Sequence, residues 1–280
     1  MNKYTQRLYR EAMKFGLLRS SLIGMYSTFK TNPVLKSNNE SHFLDLNVES
    51  TVDELKKSAL SNTFKISDAI LKEVLEACKT NFVYPQLKFD GTPISDGEGR
   101  LMDFDNPVSF QNDCIWYAYK NIRYWDVFKK ITYDPKIIEV AKQYLGNNPI
   151  VRNEYLWWSF PAKGDTNEDF DSPRYWFHYD IDDFKFLKLF IYLNDVDSET
   201  GPHIVVKNTH KSKPWKYKLN RRVKSSDLEG FFDDKEIVEL TGEKGTCFFE
   251  DTFTYHNGTP PQKPRIVLQI EFSLTNLKLG

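Results

Sequence analysis

The sequence predicts an α+β fold with a mainly β core, in which several helices pack on a sandwich or barrel of short strands. Three observations predict it. Up to about residue 148 the apolar residues recur at helical spacing between capping and stop signals. From Ile150 onward they come in short runs rich in aromatic and β-branched residues, cut by turn residues. Aromatic side chains make up 15% of the 280 residues, a supply that suits strands and a bulky core. Helices first and strands after is the order of an α+β domain. No repeat and no Gly/Ser-rich linker divides the chain. It therefore reads as one domain over 1–280, helical and loop-rich to about 148, with the β core from about 149.

In chain order, residues 1–30 read as helix and 32–47 as a polar connector. Thr51 and Glu54 are spaced as a capping box for a helix running to about Leu60. Ser67-Asp68 opens another helix, with Ile70, Leu71, Val74 and Leu75 on one face. The stretch from Pro85 to Pro107 holds Gly91, Pro93, Gly97 and Gly99 and reads as a long loop, of the kind that covers a site. Ile115 to Phe128 reads as helical. Asp134 as N-cap, Pro135 at the first helical position and Gly146 past the end bound a helix over Lys136–Leu145. Strands follow at Ile150–Phe160, Tyr175–Ile181, Leu187–Leu193, His203–Val206, Ile237–Leu240, Thr246–Glu250 and Ile266–Ser273.

Composition narrows the function classes. With 38 basic against 39 acidic residues there is no electrostatic footprint for nucleic acid. Cys78, Cys114 and Cys247 form neither a disulfide framework nor a CxxC zinc pattern, so a reducing, cytoplasmic setting is expected. No apolar run approaches the roughly 18 residues of a membrane span. The basic N-terminus (Lys3, Arg7, Arg10, Lys14, Arg19) fits a helix packed on the domain better than a transit peptide or membrane-surface helix.

The chemistry centres on Trp176-Phe177-His178-Tyr179-Asp180. On a strand, side chains two apart project to one face, so His178 and Asp180 sit together. A His and a carboxylate side by side are two members of a facial metal triad. The third would come from His42, His203, His210 or His256. His256 follows the strand Thr246–Glu250 and a short turn, and Arg265 heads the last strand nine residues later. A guanidinium fork there suits a carboxylate. His178, Asp180 and His256, with Arg265 for an acidic co-ligand, form the donor set of non-haem Fe(II) oxygenases.

Further pieces stand in order around these residues: Leu187 through Val196, Glu199-Thr200-Gly201-Pro202, Thr209-His210-Lys211, and Gly245 through Asp251 leading to His256 and Arg265. Together, over about Asp134 to Ser273, they resemble the phytanoyl-CoA dioxygenase family of Fe(II)/2-oxoglutarate oxygenases. The resemblance implies a double-stranded β-helix (a jelly roll, cupin-like) holding Fe(II) through His178, Asp180 and His256. It implies 2-oxoglutarate on the iron with its far carboxylate on Arg265, O2 as oxidant and ascorbate as a candidate reductant. Succinate and CO2 would be released as an unactivated C–H bond of a small molecule is oxidised. Family members that halogenate lack the carboxylate, so Asp180 implies hydroxylation or another oxidation.

Two departures stand out. Where some members carry Lys-Pro-Pro to help hold 2-oxoglutarate, this chain has Trp158-Ser159-Phe160-Pro161, leaving Ser159 as the polar group. The hydroxyl residue that some carry two positions after the distal His is Gly258 here. Lys188, Phe190 and Tyr192 alternate onto one strand face, and the resemblance sets Phe190 beside the co-substrate. These join Arg265 and Ser159 as expected cofactor-binding residues.

Other conspicuous residues have plainer readings. His203 reads as packing or rim, His210 as part of a structural turn and His42 as solvated. Trp157, Trp158, Trp176 and Phe177 read as core rather than as a stacking surface, and Cys247 as strand packing. The basic run from Lys207 to Lys224 reads as a solvated loop, or else as a grip on an anionic substrate tail. Three rival functions keep the same fold: an inactive jelly-roll binding module, a Zn or Mn hydrolase or isomerase, and a protein hydroxylase.

Overall fold

A computed structural model describes residues 3–88, 94–107, 114–161, 175–228 and 230–277. The N-terminal stretch forms two helices, α1 (Lys3–Met13) and α2 (Gly16–Phe29), followed by an irregular connector. Then come α3 (Val48–Ser58), β1 (Phe64–Lys65), α4 (Asp68–Thr80), β2 (Phe82–Lys88), β3 (Arg100–Leu101), β4 (Cys114–Tyr119), α5 (Asp126–Thr132) and α6 (Pro135–Leu145). The remainder is β5 (Ile150–Ser159), β6 (Phe177–His178), β7 (Phe186–Tyr192), β8 (His203–Val206), β9 (Arg222–Val223), a one-turn α7 (Ser225–Leu228), β10 (Ile237–Leu240), β11 (Thr246–Glu250), β12 (Tyr255–Gly258) and β13 (Arg265–Ser273).

Two antiparallel sheets result. The larger runs β1-β11-β7-β13-β5-β4-β2-β3 and the smaller β10-β8-β12-β6-β9. The period-two rule sorts the central strands by face. Leu187, Leu189 and Ile191 of β7, Phe249 of β11, and Leu268 and Ile270 of β13 turn outward to Val52, Leu55, Ile70, Val74, Phe128 and Ile137 of the helices. The alternate residues Phe190, Tyr192, Phe248 and Val267 turn inward and meet Val205 and Leu240 of the smaller sheet. Every residue of β7 is buried, which explains its nearly unbroken apolar sequence. The smaller sheet's other face, with Phe177, Tyr179, Val206, Val223 and Tyr255, is covered by Tyr217 and Leu228 and by Met13 of α1.

That covering segment is the basic run. It is not simply solvated: Lys213 is inserted between rings, 3.7 Å from the Phe253 centroid and 4.3 Å from that of Tyr179. Its ammonium donates to the carbonyls of Thr209 and Phe253. Among the described residues no helix is long and apolar enough to cross a membrane.

Several local expectations are corrected. The cap of α3 is Asn47, whose side chain accepts from the Ser50 amide, so the helix starts earlier than a Thr51/Glu54 box would place it. Thr51 is buried instead, and Glu54 accepts from the Asn62 amide. The expected loop at 85–107 begins inside β2, with Pro85 at a register irregularity opposite β4, and contains β3; residues 89–93 lie outside the described residues. The expected helix at 115–128 is mostly β4 followed by a short 3-10 turn, with α5 beginning at Asp126. In β4 burial alternates at period two rather than 3.6: Ile115, Tyr117 and Tyr119 are buried and Trp116 is exposed. The helix α6 has its expected ends: Asp134 accepts from the amides of Lys136 and Ile137, and Gly146 closes it at φ 76°.

Candidate metal centre

The pairing of β6 with β12 sets His178 directly opposite His256, with ring centroids 4.4 Å apart. The strand β6 stops at His178, so Asp180 is held by a backbone clamp: its amide donates to the Thr252 carbonyl at 2.8 Å, and the Tyr179 amide to Arg221. Donor atoms of His178, Asp180 and His256 all lie within 4.8 Å of one another. His256 Nε2 is 3.7 Å from Asp180 Oδ2.

Both rings are oriented through Nδ1. That of His178 is 3.2 Å from the Trp176 carbonyl, and that of His256 is 3.0 Å from the Thr254 carbonyl. A proton on each Nδ1 leaves Nε2 as the free lone pair, the arrangement that second-shell carbonyls impose on ligating histidines. Burial lowers the His178 pKa and pushes that of His256 down to about 4, so both rings are neutral donors at physiological pH. Burial, the largest influence, raises the Asp180 carboxyl, but the Lys188 ammonium together with the neighbouring His256 and His178 outweighs it and keeps the group ionised. Two neutral imidazoles and one carboxylate, converging on one point, fit a divalent first-row metal.

The triad opens on a cavity of about 920 Å³ that is also lined by Ser159, Phe190, His203, Gly258 and Arg265. Arg265 begins β13 opposite Ser159. Its Nη1 donates to the Gly201 carbonyl. Its Nε is buried with no partner among the described residues. A half-buried guanidinium in a cavity wall, with a buried and unpaired Nε, is a ready anion site. Gly201 supports it from a turn that needs glycine: φ is 72°, and a Cβ would meet the Thr259 carbonyl at 2.8 Å.

Of the other residues expected to hold a co-substrate, Ser159 and Phe190 do line the cavity. Lys188 and Tyr192 share the inward face but are committed elsewhere. Lys188 Nζ lies 2.7 Å from Asp180 Oδ2 and 3.0 Å from Asp182 Oδ2. The Tyr192 hydroxyl donates to the Leu240 carbonyl at 2.8 Å. Trp158 and Phe177 are core, whereas Trp157 lines the cavity beside Trp116 and Tyr155. The amide of His42 donates to Asp134, and His210 is half-buried away from the cavity.

One group escaped the sequence reading. Glu250 is fully buried, and burial pushes its carboxyl up to about 7. Its Oε2 is 2.7 Å from His203 Nε2, and its Oε1 accepts from Thr254 Oγ1 at 3.0 Å and lies 3.6 Å from His256 Nδ1. The signal was present: period two puts Glu250 on the inward face with Phe248, where a carboxylate needs a partner.

No protein-family model and no curated protein matches the chain. Solved structures do. The epimerase SnoN, in complex with Fe3+, alpha-ketoglutarate and nogalamycin RO, is 12% identical over 80% of this chain and 82% of that one, with a TM-score of 0.56. HygX from Streptomyces hygroscopicus, with nickel, 2-oxoglutarate and hygromycin B bound, is 10% identical over 83% of this chain and 89% of that one, with a TM-score of 0.54. At such identities the likeness is one of fold.

Proposed function

We propose that the chain is a non-haem Fe(II)/2-oxoglutarate-dependent dioxygenase that hydroxylates an unactivated C–H bond of a small molecule, built on a double-stranded β-helix. The observation that carries this reading is the convergence of His178, Asp180 and His256 on one point in a cavity whose wall also holds Arg265. A hydrolytic zinc site has no evident use for that guanidinium. The resemblance to phytanoyl-CoA dioxygenases supports the reading from the sequence side. SnoN and HygX support it by fold, since both are described with a metal and this co-substrate bound.

His178 and His256 would hold the metal through Nε2 and Asp180 through a carboxylate oxygen, leaving positions free on the cavity side. Iron and 2-oxoglutarate, when bound, supply the activation of O2 and the C–H oxidation, with release of succinate and CO2. The chain's own residues bind and orient. Lys188 keeps Asp180 ionised and fixed. The backbone carbonyls of Trp176 and Thr254 keep the rings in one tautomer. Arg265 receives the far carboxylate of the co-substrate. Trp116, Trp157 and Tyr155, on the inward face of β4 and β5, give a substrate with rings an aromatic wall to lie on. Both fold relatives are described with small molecules bound, nogalamycin RO and hygromycin B, which favours a compact substrate over a protein.

The test is succinate release from 2-oxoglutarate in air with Fe(II) and ascorbate, screened against ring-bearing small molecules. The reading expects turnover that His178→Ala and Arg265→Ala each abolish. Metal-dependent hydrolysis indifferent to 2-oxoglutarate would replace it with the hydrolase alternative.

A further inference from the structure

His203 lies in register opposite Gly258 across the β8–β12 pair, and both residues line the cavity. Gly258 leaves the guanidinium of Arg265 uncovered on that side: a Cβ at position 258 would stand 3.7 Å from Nη2 with nothing closer. The ring of His203 borders this gap, packed against Phe190 at 5.1 Å and His256 at 5.3 Å between centroids. Its Nε2 is engaged by Glu250, 2.7 Å away, which fixes the ring. Its Nδ1 has no hydrogen-bond partner among the described residues. The side chain keeps 14% of its surface open.

A buried glutamate on an apolar strand is costly unless something uses it. Here it holds one ring edge and leaves the other presented to the cavity beside Arg265. We infer that His203, positioned by Glu250, is the second anchor for the far carboxylate of the co-substrate, working with Arg265 across the gap at Gly258. This rests on the proposed 2-oxoglutarate chemistry and gives it a residue that the sequence pattern did not supply. Arg265 offers a fork and His203 its Nδ1 edge, left open because Glu250 engages Nε2. Glu250 acts through His203 and is a positioning residue.

The experiment is anaerobic binding to Fe(II)-loaded protein, with 2-oxoglutarate and, separately, 2-oxobutyrate, which lacks the far carboxylate. Fe(II) affinity and thermal midpoint are measured for each variant. His203→Leu should weaken 2-oxoglutarate binding about ten- to a hundredfold, the loss of one hydrogen bond to a charged group. It should leave 2-oxobutyrate and Fe(II) binding unchanged. Glu250→Gln should give a smaller loss with the same selectivity. Adding Gly258→Ser to His203→Leu should restore much of the affinity, because the new hydroxyl enters the same gap. His203→Gln provides the same comparison if the leucine variant does not fold.

Equal loss for both oxo acids, or loss of Fe(II) binding, would overturn the anchor and make His203 part of the metal environment. Unchanged 2-oxoglutarate affinity would remove it while leaving the oxygenase reading intact. A wild-type protein that binds Fe(II) but neither oxo acid would remove both.

Discussion

Replacing Lys188 by Met tests the electrostatics that hold the triad together. The Lys188 side chain is 8% exposed, between Asp180 and Asp182, whose side chains are 18% and 20% exposed. Methionine preserves most of the volume, so the loss is the charge. Two largely buried carboxylates are then left facing each other without a cation. Removing one partner of a buried pair costs about 3–5 kcal/mol, because the survivor keeps its desolvation penalty. At about 2–4 °C per kcal/mol for chains of this size, the metal-free protein should melt roughly 6–20 °C lower. Chemical denaturation at pH 7 reads the free energy and a thermal scan the midpoint. Asp182→Asn in the Lys188→Met background should recover part of the loss. Saturating Co(II) should stabilise the variant more than the wild type, because a dication gives Asp180 back a positive neighbour. A loss below about 1 kcal/mol would refute the reasoning, since it would mean that water screens the pair as it does a surface ion pair.

Two further outcomes follow from groups away from the metal. Asp183 is buried, and despite accepting from Phe184 and Thr275 its carboxyl is pushed up to about 6 by burial. A raised carboxyl pKa means that the folded state holds the proton more tightly. Its contribution is full below about pH 4 and is lost as pH rises through 6, on the order of 3 kcal/mol in all. The stability of wild type relative to Asp183→Asn, followed by urea denaturation, should therefore fall between pH 4 and pH 7; a flat difference contradicts the sign. Gly201→Ala combines a left-handed φ of 72° with a Cβ only 2.8 Å from the Thr259 carbonyl. It should cost about 1–3 kcal/mol in urea denaturation, and it should weaken 2-oxoglutarate binding by displacing the carbonyl that holds Arg265. Full stability with unchanged affinity would show that the turn relaxes freely.

The first half of the candidate donor set was legible because its geometry is local: His178 and Asp180 are two residues apart. His256 comes 76 residues after Asp180 and meets them only through the β6–β12 pairing, and Arg265 follows it nine residues on in a strand of the other sheet. The helix α6 was legible for the same reason, since cap, proline and C-terminal glycine all lie within its own sequence. Errors came where tertiary context decides. Asn47 rather than Thr51 caps α3, because Thr51 is needed on the buried face. The aromatic stretch of β4 became a strand because β2 and β5 offer it edges to pair with. Lys213 looked like a solvated charge, yet beside the nearby Thr209 carbonyl it is held by the Phe253 carbonyl and by two rings from distant segments. The His203–Glu250 contact spans 47 residues, and a sequence pattern does not reveal which buried acid meets which ring.

The most direct measurement is an anaerobic titration of the purified protein with Fe(II) and then 2-oxoglutarate, recorded in the visible region. The account predicts a weak charge-transfer band that grows to one equivalent, is absent in His256→Ala and is strongly reduced in Arg265→Ala. Iron bound at one equivalent by metal analysis, with no band at any 2-oxoglutarate concentration, would contradict it.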